Sequence, residues 1–228
     1  MGHLIVFEGA DGAGKSTQLK LAAEYLQSRG FEVVHTREPG GTPMAEDIRE
    51  VMLSPREEAV DDDAEMLLAF AARQQHIVSR IKPAIDEGKI VLCDRFIPSS
   101  FAYQVRGKGA EESLFHTLEA KALSSLGSNI KYLMFTMTPE ESQNRVENRG
   151  NKDRMEQEGD AFFQRVKAGY DEFLRNQISN DPSSIDAIDA NGSIEEVSDR
   201  IIKVLNKTLG LGQARRSQFN GPRFELNP

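Results

Sequence analysis

Short apolar runs alternate with longer stretches of helical periodicity along most of the chain. Leu4–Phe7 is continuously apolar and too short for a helix, so it predicts a buried strand. From Lys15 to about Arg29, the positions Leu19, Leu21, Ala22, Tyr25 and Leu26 make a helical stripe that Gly30 stops. Phe31–Thr36 predicts a second strand. Pro39-Gly40-Gly41 breaks the chain, and Pro43 suits the first turn of a helix to about Leu53. Asp61-Asp62-Asp63 offers N-caps and dipole-favourable charge to a long helix, about Ala64 to Asp86, with Pro83 bending its last turn. Ile90–Cys93 is a third strand. A helix follows Pro98 and another covers about Glu111 to Leu126. Tyr132–Met137 is a fourth strand, and Pro139 opens a helix to about Asn148. The charged segment 148–159 has no apolar stripe. A helix from Asp160 to about Ile178, a weak fifth strand at Ile185–Ile188 and a helix over Ser193–Leu209 follow. From Gly210 the periodicity is lost, and 210–228 reads as a flexible tail.

Strands separated by helices imply a mainly parallel sheet with helices on both faces. The expectation is a three-layer α/β fold with five strands. With 228 residues and no dividing linker, residues 1–209 are expected to be a single domain. The net charge of −8, with no basic block before Arg215-Arg216, disfavours generic binding to nucleic acid or a membrane surface. No apolar run approaches the ~20 residues of a membrane span. The N-terminal run is too short for a signal peptide and leads directly into a glycine loop. One cysteine, Cys93, lies inside an apolar run and reads as a small buried hydrophobe in a reduced, cytoplasmic setting. The four histidines have no metal-ligand spacing.

The glycine loop carries the chemistry. Gly9-Ala10-Asp11-Gly12-Ala13-Gly14-Lys15-Ser16 follows a strand and opens a helix, which is the context of a phosphate-binding P-loop. Gly9, Gly12 and Gly14 let the backbone curl close to a phosphate, and successive N–H groups with the positive helix end then face the anion. Lys15 is placed to reach the β- and γ-phosphates and Ser16 to ligate Mg²⁺, with Thr17 beside them as a further ATP-binding candidate. Many reaction classes share this loop.

Other motifs narrow the choice. The third strand ends Asp94-Arg95-Phe96, at the edge where open α/β sheets place ligands. Asp94 suits Mg²⁺ and its waters, and Arg95 a phosphate. The second strand ends in Arg37-Glu38-Pro39-Gly40-Gly41-Thr42, which brings another guanidinium to the same edge. Phe70 and Arg73 share a helical face, so an aromatic plate stands beside a planar donor. Ser99, Ser100, Tyr103 and Gln104 cluster as i, i+4 pairs after strand three, and an amide there can read a pyrimidine edge. Arg145, Arg149, Lys152 and Arg154 make a basic segment able to close on a transferring phosphoryl group.

Taken together, these motifs and the run Leu67-Leu68-Ala69-Phe70-Ala71-Ala72-Arg73-Gln74-Gln75-His76 resemble the thymidylate kinase family over about Met1 to Leu209. The resemblance implies a P-loop NTPase fold and γ-phosphoryl transfer from ATP to dTMP, giving dTDP, with Mg²⁺. It implies a homodimer. It places the P-loop, residues 9–17, on the ATP phosphates, and Arg145 and the loop near Asn191 around adenine. On dTMP it places Asp11 at the 3′-hydroxyl, Arg37 and Arg95 at the phosphate, Phe70 stacked on thymine and Arg73 at a thymine carbonyl. Gln104 and Ser100 read the base edge, and Tyr103 crowds the ribose 2′ position. Lys15, Asp94, Arg95, Arg149 and Arg154 are the implied catalytic set. Two departures stand out. Gly12 occupies a P-loop place that holds arginine in some members, which assigns the catalytic cation to a lid near 148–159. Phe96 replaces the usual tyrosine after Asp-Arg. A GTP switch is the rival of another class. It needs Asn-Lys-x-Asp, and Asn151-Lys152-Asp153-Arg154 ends in the wrong residue.

Overall fold

The structure is a computed structural model that describes residues 2–127, 129–138 and 158–212. Five strands form one sheet: β1 (His3–Glu8), β2 (Val33–Arg37), β3 (Ile90–Asp94), β4 (Ile130–Thr136) and β5 (Ile185–Asp189). Their order is β2-β3-β1-β4-β5, and every pair is parallel. The sheet is thus wholly parallel, as helix crossovers between successive strands require. β1 lies at the centre, so the loop that follows it emerges where the strand order reverses.

Alternation along the strands divides the core into two layers. Leu4 and Val6 of β1, with Val91 and Cys93 of β3, face one layer. Ile5, Phe7 and Leu92 face the other. The second layer is closed by α1 (Lys15–Ser28) and the C-terminal helix Ile194–Thr208, through Leu19, Leu26, Ile201 and Leu205. Helix N-termini carry side-chain caps where the residue types favour them. Thr42 caps α2 (Pro43–Leu53), accepting from Ala45 N, and Asp61 caps α3 (Asp62–His76), accepting from Ala64 N. Ser193 and Glu196 form a reciprocal capping box.

The long helix is not uniform. α3 passes into a π-helical stretch, Ile77–Ile81, and then α4 (Lys82–Asp86). The wider hydrogen bond from Lys82 N to the Ile77 carbonyl falls immediately before Pro83, which has no N–H to continue the α-pattern. A second π-helical stretch, Phe101–Lys108, follows α5 (Ile97–Ser100), and α6 (Glu112–Leu123) comes next. Helix α7 (Asp160–Asn180) packs on this second stretch. The contact is close because Gly169 lacks a side chain: a Cβ there would stand 2.8 Å from Ala102 Cα. The C-terminal helix is α8 (Ile194–Thr208). The expected helix from Pro139, the basic segment and most of the tail lie outside the described residues.

Candidate active site

The loop after β1 has the curled backbone its glycines predict. Gly9, Gly12 and Gly14 all have positive φ. At Gly9 a side chain is also excluded by space, since a Cβ would lie 2.6 Å from the Phe135 carbonyl oxygen. Lys15 folds back over this loop and donates to the carbonyls of Gly9 at 2.8 Å and Ala10 at 2.9 Å. It is buried, and burial, with the Arg95 charge nearby, pulls its pKa down to about 8. The Asp11, Asp94 and Glu8 carboxylates offset this in part, and a phosphate in the loop would favour the ammonium further.

Ser16 Oγ donates to Asp94 Oδ2 at 3.1 Å, which joins the loop to the end of β3. The other oxygen, Asp94 Oδ1, is buried without a hydrogen-bond partner among the described residues. A hydroxyl beside a carboxylate with an unsatisfied buried oxygen fits Mg²⁺ or its bound water. Among the described residues no three His, Cys, Asp or Glu side chains converge on a metal.

Arg95 stands at the centre of the second half of the site. Its φ is +71, an uncommon conformation for a side chain with a Cβ. Two elements hold it there. Arg95 N donates to the Phe7 carbonyl at 3.0 Å. Glu8, fully buried at the end of β1, accepts from Phe96 N at 2.5 Å and from Ser99 Oγ at 2.8 Å. Burial raises the Glu8 pKa against these donors and the charges of Arg95 and Lys15. The guanidinium then reaches Asp11 Oδ1 at 2.7 Å and Tyr170 OH of α7 at 2.6 Å. Tyr103 OH donates to Asp11 Oδ2 at 2.9 Å. The Arg95 charge holds the Asp11 carboxyl well below the usual carboxylate range, against its burial. Burial pushes the Tyr103 phenol up, so it remains a neutral donor.

A cavity of about 260 Å³ opens beside this cluster. Asp11, Arg95, Tyr103, Ser100, Gln104 and Arg73 all line it, as the sequence predicts for an acceptor pocket. Ser99, Glu38, Arg49 and Phe163 line it as well. Arg73 is buried and anchored. Its Nε donates to Glu38 Oε2 at 2.7 Å, Nη1 to Ser100 Oγ at 3.0 Å and Nη2 to the Phe96 carbonyl at 2.8 Å. Among the described residues three of its five N–H donors are used in this way, which leaves one on each terminal nitrogen. Glu38 also accepts from His76 Nδ1 at 2.9 Å, and His76 Nε2 pairs with Thr36 Oγ1 at 2.6 Å.

Two residues differ from the sequence expectation. Arg37 does not line the cavity. It is paired with Glu46 of α2 at 2.8 Å, and both side chains are nearly half exposed. The cavity wall has Arg49 of α2, which also donates to the Pro39 carbonyl at 3.1 Å. Phe70 does not line the cavity either. It is 4% exposed, meets Phe115 edge-on, and has the Arg73 guanidinium 4.5 Å above its ring. One face of the ring carries the arginine expected to be its neighbour, so a thymine stacked on Phe70 would use the opposite face. Arg145, Arg149, Lys152 and Arg154 lie outside the described residues. Asn191 sits after β5, where Thr138 N donates to its side-chain oxygen at 3.5 Å.

Sequence reasoning did not single out Glu8, Glu38, His76, Arg49 or Tyr170. A signal exists for Glu8, a carboxylate joined directly to a continuously apolar strand, since such a group needs buried donors.

A P-loop with Ser16 and Asp94 at its mouth, sharing Asp11 with a separate arginine-lined cavity, defines a phosphotransferase of the nucleoside monophosphate kinase class. Comparison with known proteins refines this. The family model for thymidylate kinase matches residues 7–201. The chain is 44% identical over 210 residues to a thymidylate kinase of Chromohalobacter salexigens, covering 91% of this chain and 97% of that protein. It is also 44% identical over 202 residues to one from Exiguobacterium sibiricum, covering 89% and 93%. Among solved structures, thymidylate kinase from Ehrlichia chaffeensis superposes with a TM-score of 0.70 at 31% identity, covering 90% of this chain and 98% of that one. The chain belongs to the thymidylate kinase family, whose members phosphorylate dTMP to dTDP using ATP.

Proposed function

We propose that the chain acts as one kinase domain, residues 1–209, that transfers the γ-phosphoryl of ATP to dTMP through the residues described above. The observation that carries this reading is Asp11: it belongs to the P-loop and also lines the second cavity. Donor and acceptor sites therefore share a wall. Residues 9–17 cradle the ATP phosphates and Lys15 leaves its backbone carbonyls for them. Ser16 and Asp94 would hold Mg²⁺, which supplies neutralisation of phosphate charge when bound.

Arg95 receives the dTMP phosphate, exchanging part of its contact with Asp11 for that anion. Asp11 is then available to the 3′-hydroxyl. The exposed Arg37–Glu46 pair is of a kind worth only about 0–1 kcal/mol, so Arg37 turns to the same phosphate at little cost. Arg73 donates to a base carbonyl, Ser100 and Gln104 read the edge, and Tyr103 fills the space a 2′-hydroxyl would need. The acceptor phosphate has a second pKa of about 6 and is a nucleophile at neutral pH without a strong base. The residues' task is alignment and charge neutralisation. Arg149, Arg154 and Lys152 close over the transferring group as a lid, with Arg145 at adenine.

A homodimer and a cytoplasmic location complete the proposal. Met44 and Val51 on α2, with Leu67 on α3 and Val78 just beyond it, are exposed apolar side chains on two packed elements, and they supply an apolar face for a second copy. No described helix is long and apolar enough to cross a membrane. The test is ADP release from ATP with dTMP, dUMP, the ribose analogue of dTMP, CMP and AMP. The greatest stimulation is expected from dTMP. Equal or greater stimulation by CMP or AMP contradicts the acceptor assignment.

A further inference from the structure

The amide of Gln104 has a carboxylate on its buried side. Gln104 Nε2 donates to Glu65 Oε1 at 3.1 Å, and the two residues are 4% and 1% exposed. The second Glu65 oxygen forms an ion pair with the Lys108 ammonium at 3.8 Å. Lys108 also pairs with Glu158. An ionised carboxylate only accepts hydrogen bonds. The amide beside it must turn its NH₂ inward, and its carbonyl then points away. Gln104 lines the cavity, so the carbonyl oxygen is what a ligand there meets.

We infer that Glu65 is a specificity-determining positioning residue: it fixes which end of the Gln104 amide faces the cavity, and so makes the site demand a hydrogen-bond donor on the base. The inference rests on the reading of this cavity as the dTMP acceptor site. Thymine and uracil carry N–H at ring position 3. Cytosine carries a lone pair there. Against a fixed carbonyl, cytosine sets acceptor against acceptor in a buried place. If the amide were able to turn over, its NH₂ would serve cytosine equally well. Glu65 touches no ligand in this scheme and acts only through Gln104.

The test is Glu65→Gln, whose amide can donate as well as accept and so releases Gln104 from one orientation. Inhibition constants of dUMP and dCMP are measured against dTMP phosphorylation, because these two competitors are alike at carbon 5. The expected result is that the preference for dUMP over dCMP falls by about tenfold or more, the scale of one buried hydrogen bond gained or lost. The KM for ATP and the melting temperature should stay near the wild-type values. A second measurement needs no variant. In the wild-type protein one Gln104 side-chain amide proton should exchange with solvent much more slowly than in a free amide. An unmoved dUMP/dCMP preference with wild-type turnover of dTMP intact overturns this inference alone, and so do two fast-exchanging protons. A wild-type protein that does not turn over dTMP overturns the acceptor reading and this inference with it.

Discussion

Arg95 combines a strained backbone, a buried position and contacts to four side chains, Ser99, Tyr103, Asp11 and Tyr170. Its neighbours explain why the charge stays available: burial disfavours it, but Asp11 and the two phenols hold its pKa well above the ordinary arginine value. Replacing Arg95 with Ala should leave ATP binding near wild type and reduce turnover by about 10²-fold or more. Wild-type turnover with dTMP would remove Arg95 from the phosphate. Lys15 gives a pH test. Its lowered pKa means the ammonium is present below about pH 8 and lost above it. The kcat/KM for ATP should therefore fall as pH rises through about 8, and a profile flat to pH 10 contradicts the assignment. Bound phosphates favour the charged form, so kcat should fall only at higher pH. Loop glycines, the lysine and the Asp–Arg pair were legible because their spacing is local. Glu8 and Tyr170 were not, because their partners lie 88 and 75 residues away in sequence, as in Phe96 N to Glu8 and Arg95 to Tyr170.

At the scale of elements, caps and strand cores followed from residue type, and the strands lie within a residue or two of their predicted ends. The π-helical stretches were not legible. Apolar periodicity over ten or so residues does not resolve one wider turn, and the second stretch has neither Pro nor Gly before Gly107 to mark it. That stretch carries Tyr103 and Gln104 into the cavity, and α7 braces it with Tyr170 reaching Arg95. Gly169 makes the brace possible. Gly169→Leu has no room against Ala102 Cα and Arg106 Cβ, both under 3 Å from the added Cβ. It should destabilise the fold by about 1–3 kcal/mol and lower kcat by displacing Tyr170. A variant with unchanged melting temperature and kcat contradicts the brace. The loop after β2 tells a similar story. Arg37 was the visible cation there, yet the buried charge network belongs to Glu38, which joins Arg73 to His76. Glu38→Ala strands the Arg73 charge and should cost about 3–5 kcal/mol in chemical denaturation.

For the whole molecule, the parallel sheet places every strand's carboxyl end on one edge, and the site is built from the loops after β1, β2 and β3 with helices laid over them. Sequence alternation was enough to predict this architecture. It was not enough to say which apolar helix positions are core and which form an outer face. Met44, Val51, Leu67 and Val78 are 46–57% exposed. If a second copy covers them, Val78→Glu should shift the protein toward monomer in sedimentation, with the melting temperature dependent on concentration only in the wild type. A wild-type monomer contradicts the dimer. The proposed reaction is transfer of a phosphoryl group between two nucleotides that share one P-loop. It is tested most directly by incubating the protein with ATP labelled in its γ-phosphoryl group, Mg²⁺ and dTMP, and locating the label. Labelled dTDP is expected. Label found only in inorganic phosphate, or remaining in ATP, contradicts it.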